Sequence, residues 1–212
     1  STCGRGSRPG EKMSAPTIEF FFDVGSPASY LAWRQLPRVA AETNAVIAFR
    51  PMLLGGVFKA TGNASPVTVP AKGRWMTDDL QRWARRYGVA FGLNPNFPIN
   101  TLTLMRGAAG MQMRHAERFL AYVDAIYRAM FESPRDLGDA DVLVATLREA
   151  GFDPTEFAAL VADPEVKARL IATTEEAVAR GVFGAPTFFV GDAMFFGQDR
   201  LDFVREALLA IR

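Results

Sequence analysis

The chain offers few side chains for covalent or metal chemistry. Cys3 is its one cysteine and His115 its one histidine, so neither a disulfide framework nor a Cys/His metal site can be assembled. Chemistry must rest on hydroxyls, amides, carboxylates and lysines. In "FFFDVGSPASY" (Phe20–Tyr30), Ser26-Pro27-Ala28-Ser29 stands where an apolar run breaks and a helical pattern starts. Serine before proline is the ordinary pairing of an N-cap with a first helical residue. The same hydroxyl lies at the positive end of a helix dipole, where anions are stabilised. "GVFGAPTFFV" sets Pro186 at the start of another apolar run, where no ladder donor is missed. In "FGQDRLDF", Asp199 after Gln198 reads as the cap of the last helix. Lys59 and Asn63 share "FKATGN": alone, the lysine reads as a solvated charge and the asparagine after glycine as a turn residue. Asn100 lies in "NFPINT".

These groups need a scaffold, and the chain is long enough to build one. At 212 residues with 49% hydrophobic and 22% charged residues, it has the profile of one large globular domain, or of one domain carrying a second inserted into it. A net charge of +1 gives no long-range attraction to nucleic acid or membrane. Arg74, Arg82, Arg85 and Arg86 interleave with Trp75 and Trp83, but Asp78 and Asp79 among them make a solvated helix face. The leader "STCGRGSRPGEK" lacks an apolar core for a secretory signal and reads as disordered over residues 1–12. No apolar run reaches the roughly 18 residues of a spanning helix, so a cytoplasmic protein is expected.

Thr17–Phe22 reads as a buried strand, Pro27–Glu42 as a helix and Val46–Arg50 as a second strand: a βαβ unit with a parallel pair. "MLLGGVFKATGNASPVTVPAKG" reads as a long shaped loop. Helical signals dominate from Trp75 to Gly181. Phe119, Tyr122, Val123, Ile126, Tyr127 and Met130 recur at three- and four-residue steps, and Asp153-Pro154 and Asp163-Pro164 read as helix starts. Two short apolar runs then flank Gly191-Asp192 as a hairpin, and a last amphipathic helix carries Leu201, Val204, Leu208 and Ile211.

This order, together with "FFFDVGSPASYLA", "FRPMLLGGVFKATGN", "DLQRWARRYG", "NPNFPINTLTLMRG", "GVFGAPTFFVG" and "FGQDRLDFV", resembles the 2-hydroxychromene-2-carboxylate isomerase family, of the DsbA and kappa-class glutathione transferase type. The resemblance covers nearly the whole chain beyond the leader. It implies an α/β fold: a thioredoxin-like domain from residues 13–75 and 176–212, interrupted by an all-helical domain over 76–175. It implies glutathione as cofactor, a small aromatic carboxylate as substrate and a homodimer. Thioredoxin-like oxidoreductases carry Cys-x-x-Cys where this chain has Ser26-Pro27-Ala28-Ser29, so the junction would hold the thiolate of glutathione, with Ser26 as the catalytic donor to sulfur. By the same resemblance, Pro27, Asn63, Ala185, a cis Pro186, Gln198 and Asp199 belong to the glutathione site, and Lys59 and Asn100 to the substrate.

The reaction implied is a reversible thiol-dependent isomerisation of 2-hydroxychromene-2-carboxylate to trans-o-hydroxybenzylidenepyruvate, with glutathione returned. A kappa-class transferase and a thiol-peptide binding module are the alternatives. Gly25 and Ala28 stand where the family commonly has larger side chains, which would widen the pocket.

Overall fold

A computed structural model describes residues 15–211. The leader and Cys3 lie outside the described residues. In chain order the elements are β1 (Thr17–Phe22), α1 (Pro27–Thr43), β2 (Val46–Pro51), α2 (Leu54–Thr61), a 3₁₀ turn at Pro66–Thr68, α3 (Pro70–Tyr87), α4 (Leu102–Arg114), a 3₁₀ turn at Ala116–Arg118, α5 (Phe119–Phe131), α6 (Ala140–Glu149), α7 (Pro154–Ala162), α8 (Pro164–Ala179), β3 (Thr187–Val190), β4 (Ala193–Phe196), a 3₁₀ turn at Gln198–Arg200 and α9 (Leu201–Ala210).

The sheet runs β2-β1-β3-β4. β1 pairs parallel with β2, as the βαβ reading expects, and antiparallel with β3, which turns into β4 through Gly191-Asp192. β1 is central and buried on both faces, so it reads as a continuous apolar run rather than an alternating one. Phe20 and Phe22 point to one face, stacked 5.0 Å apart, and pack with Phe119 and Tyr127 of α5 and with α1 and α9. Phe21 points to the other face, with Val57 of α2, Ala177 of α8 and Phe189. The face of α5 expected from periodicity is buried throughout. Asp153 and Asp163 cap α7 and α8 as read. α9 buries Leu201, Val204 and Leu208, whereas Ile211, just past its last turn, is exposed.

One expectation needs correction. The stretch after β2 is mostly helical. Its glycines and prolines suggest a loop, yet α2 is started from outside itself. The Leu53 N–H donates to Thr174 Oγ1 at 2.9 Å and the Leu54 N–H to Asp23 Oδ2 at 2.8 Å, so tertiary partners replace the missing local cap. α3 likewise begins at Pro70, a residue well suited to a first helical position. The boundaries drawn at 75/76 and 175/176 fall inside α3 and α8. Residues of the helical segment, including Phe119, Tyr127 and Leu104, also share one continuous core with Phe20, Phe22 and Phe188 of the sheet.

On α3, Arg82 pairs with Asp79 and Arg86 lies over Trp83, consistent with a solvated face. Among the described residues no helix is long and apolar enough to cross a membrane, and no group of acids, histidines or cysteines could hold a metal ion.

Candidate active site

The carboxyl end of β1, the start of α1 and the loop before β3 meet at one wall of a cavity of about 670 Å³. Ser26 is the N-cap of α1, with extended backbone. Its Oγ accepts from the Ser29 N–H at 3.1 Å and donates to the Ala185 carbonyl at 3.2 Å. The Ala185-Pro186 peptide is cis, as the resemblance implies. Pro27 has no N–H and the Ser29 N–H is taken by the cap. The Ala28 N–H remains as the donor of the first turn without an intrahelical acceptor. A hydroxyl and a helix N-terminus therefore converge on the same wall, the arrangement that lowers a thiol's pKa. Ser29, the last residue of the motif, is fully buried behind that wall and does not line the cavity.

Asp23, which the sequence reading passed over, organises the junction. It is fully buried: Oδ1 accepts from the Gly25 N–H at 2.9 Å, and Oδ2 from the Leu54 N–H and from Thr101 Oγ1 at 2.9 Å. Burial pushes its carboxyl pKa upward against the three donors that pull it down. Its signal in the sequence was an acid directly after an apolar strand, a position from which it can reach two other segments. Gly25 matters for the same reason. A Cβ there would sit 2.6 Å from Thr101 Cγ2, so the space left by the small residue is filled by Thr101 closing on Asp23 and does not enlarge the pocket.

Of the residues expected at the site, Ser26, Pro27, Asn63 and Ala185 line this cavity, and Pro186 is buried next to it. Asn63, at the end of α2, reaches across the rim and donates from Nδ2 to the Phe183 carbonyl at 2.8 Å. Lys59 is not brought there. With α2 a helix rather than a loop, Leu54, Gly55 and Phe58 face the Ser26 cavity while Leu53, Gly56, Lys59 and Ala60 face a different one. Among the described residues, the one cation lining the Ser26 cavity is Lys72 of α3.

Asn100 does not line either cavity; its Oδ1 accepts from the Leu102 N–H at the start of α4. Gln198 is buried and accepts at Oε1 from the Tyr87 hydroxyl at 2.6 Å. That phenol has its pKa pushed up to about 12, chiefly by burial, so it stays a donor. Asp199 pairs with Arg200 at 2.6 Å, off the cavity. The rest of the lining includes Phe58, Met76, Phe97, Phe183 and Phe196, an apolar surface suited to an aromatic ring.

A thioredoxin-type sheet with a cis-proline loop facing a helix N-terminus, and serines in place of the dithiol, defines a thioredoxin-like protein without disulfide exchange at this motif. The chain belongs to the DsbA-like thioredoxin domain family, whose model matches residues 17–209. It is 35% identical over 195 residues to a 2-hydroxychromene-2-carboxylate isomerase of Sphingobium xenophagum, covering 91% of this chain and 98% of the relative. It is 28% identical to glutathione S-transferase kappa 1 of Homo sapiens, over 91% and 90% of the two chains. A solved 2-hydroxychromene-2-carboxylate isomerase superposes with a TM-score of 0.79 at 27% identity, over 92% of this chain and 95% of that one.

Proposed function

We propose that the chain is a glutathione-dependent isomerase acting on 2-hydroxychromene-2-carboxylate or a closely related aromatic carboxylate. The observation that supports this most is the Ser26 hydroxyl, fixed between the first turn of α1 and the Ala185 carbonyl on the wall of an aromatic-lined cavity. Relatives at 30–35% identity are named for that isomerisation, and more distant ones are kappa-class glutathione transferases.

The residues fit the cofactor's chemistry. Ser26 and the Ala28 N–H stabilise a sulfur anion at the helix terminus, and the peptide at Ala185 offers backbone polar groups to a cysteinyl unit. Lys72 supplies a positive charge for a carboxylate. Bound glutathione would supply a thiol able to add reversibly to an electrophilic carbon. To donate to sulfur, the Ser26 hydroxyl rotates its proton away from the Ala185 carbonyl, a small motion that leaves its acceptance from Ser29 N–H intact. Phe58, Phe97 and Phe196 exclude water around the substrate ring.

The test is to incubate the protein with glutathione and 2-hydroxychromene-2-carboxylate, and separately with glutathione and a chlorinated nitroaromatic. The proposal expects conversion to trans-o-hydroxybenzylidenepyruvate with glutathione unconsumed. Conjugate formation with no isomerisation would instead make it a transferase, and absence of both would leave a binding module.

A further inference from the structure

The cavity on the opposite face of α2 has a volume of about 580 Å³ and a lining of different character. Its walls are apolar: Leu53 and Ala60 from the α2 region, Leu102 of α4, and Leu170, Ile171 and Val178 of α8. Ile171 is 57% exposed, a large aliphatic side chain left at the mouth. Among the described residues, three cations stand around this apolar surface, each from a different helix, Lys59 of α2, Arg106 of α4 and Lys167 of α8, against the single carboxylate Glu175.

Among the described residues none of the three cations has a carboxylate within ion-pair distance. The other acids of α8 are engaged elsewhere: Glu165 with Arg114, and Glu176 with Arg50 and Arg180. The one hydroxyl in the lining among the described residues, Thr174, is also spent. It accepts from the Leu53 N–H at 2.9 Å and donates to the Leu170 carbonyl at 2.7 Å.

We propose that this cavity is a second binding site, separate from the Ser26 cavity, for an amphipathic organic carboxylate. The apolar body of the ligand rests on Leu102, Leu170 and Ile171, and its carboxylate is shared by Lys59, Arg106 and Lys167. An apolar bowl alone would take any greasy molecule. Three cations set against one carboxylate at its edge select those with a negative end, because a charge-assisted contact is worth about twice a neutral one. Among the described residues the lining holds one hydroxyl, already occupied, so the site is proposed for binding and not for chemistry. This site stands independently of the reaction proposed for Ser26.

The experiment uses the full chain and 2-naphthoate as probe, followed by titration calorimetry, with 2-naphthylmethanol as the uncharged counterpart. Lys59 is exposed and Lys167 half-buried, so the Lys59→Ala/Lys167→Ala double variant retains the fold, as a melting curve would verify. Naphthoate should bind the wild type about tenfold or more tightly than the alcohol, and the double variant should lose about tenfold or more in naphthoate affinity. Lys72→Ala removes the cation of the Ser26 cavity, where the carboxylate of the proposed substrate would also draw naphthoate, and should leave in place the naphthoate binding that the double variant loses. Equal binding of acid and alcohol, undiminished naphthoate binding by the double variant, loss confined to Lys72→Ala, or no binding by the wild type would each overturn the proposal.

Discussion

α2 is a wall with a cavity on each side, and the two sides present polarity in different ways. Toward Ser26, the polar groups have almost no freedom. The Asp23 carboxylate is tied by three donors, the Ser26 hydroxyl makes two bonds, and the Ala185 carbonyl belongs to the loop entering β3. On the far side, beside Thr174 and Glu175, the polar groups are the ammonium and guanidinium ends of three long side chains that have no ion-pair partner among the described residues. Ordering a lysine costs up to about 2 kcal/mol on binding, whereas the Ser26 wall is ordered by folding itself. Fixed, short groups suit a reacting atom that must be held within fractions of an ångström. Long free cations suit recognition of charge on ligands of varied shape.

The largest expected effect comes from removing the group that fixes the first side. Asp23→Ala orphans the Leu54 N–H, the Gly25 N–H and the Thr101 hydroxyl. At about 1–3 kcal/mol for each donor left buried without a partner, the loss should be several kcal/mol in urea unfolding. A loss below about 1 kcal/mol would mean that Asp23 does not anchor α2.

Asp23→Asn sharpens the same point through pH. The folded pKa of Asp23 is raised above its unfolded value, so the folded state holds the proton more tightly. Its favourable contribution is full below the unfolded pKa and is lost as pH rises through the folded one. Asparagine does not titrate there. The stability of wild type minus Asp23→Asn should therefore fall with rising pH, and a rise would show that the three donors outweigh burial.

What the sequence made legible follows the same division. β1, α1, the β3–β4 hairpin and the buried face of α5 were readable because local pattern and tertiary role agree: an apolar run for a doubly buried strand, Ser-Pro for a cap, Gly-Asp for a tight turn. α2 was not readable, because "LGGVFKAT" carries two adjacent glycines and its first N–H groups are satisfied by Asp23 and Thr174, distant in sequence. That one misreading misplaced Lys59. In a loop, Phe58 and Lys59 could share a cavity; in a helix, successive residues are about 100° apart and they part company. Lys72 was hidden in the same way, inside a supposed loop that is the first turn of α3.

Lys72 and Lys59 therefore make a matched pair. Lys72→Ala should weaken glutathione binding by about 1.5–3 kcal/mol in calorimetry, while Lys59→Ala leaves it unchanged. The reverse pattern would move the cofactor to the other side of α2. Ser26→Ala should be milder in stability, about 0.5–2 kcal/mol for a lost cap. Its mark is on chemistry: the ultraviolet absorbance of thiolate in the binary glutathione complex should titrate at higher pH than in wild type, with lower turnover. An unchanged titration with wild-type turnover would reduce Ser26 to a cap.

The smallest effect concerns the rim. Asn63 is exposed, and its Nδ2 donates to the Phe183 carbonyl, two residues before Ala185. An exposed hydrogen bond of this kind stabilises by no more than about 1 kcal/mol, so Asn63→Ala should barely move the melting temperature. The bond nevertheless joins the segment just after α2 to the loop that carries the cis proline, two segments that both line the cavity. Releasing it should let a ligand held at Ala185 leave sooner, raising the dissociation rate of glutathione a few-fold in stopped-flow displacement with little change in association. An unaltered dissociation rate would return Asn63 to the role of a turn residue after Gly62 and leave the rim held by Phe183 and Phe196, whose rings pack 4.6 Å apart.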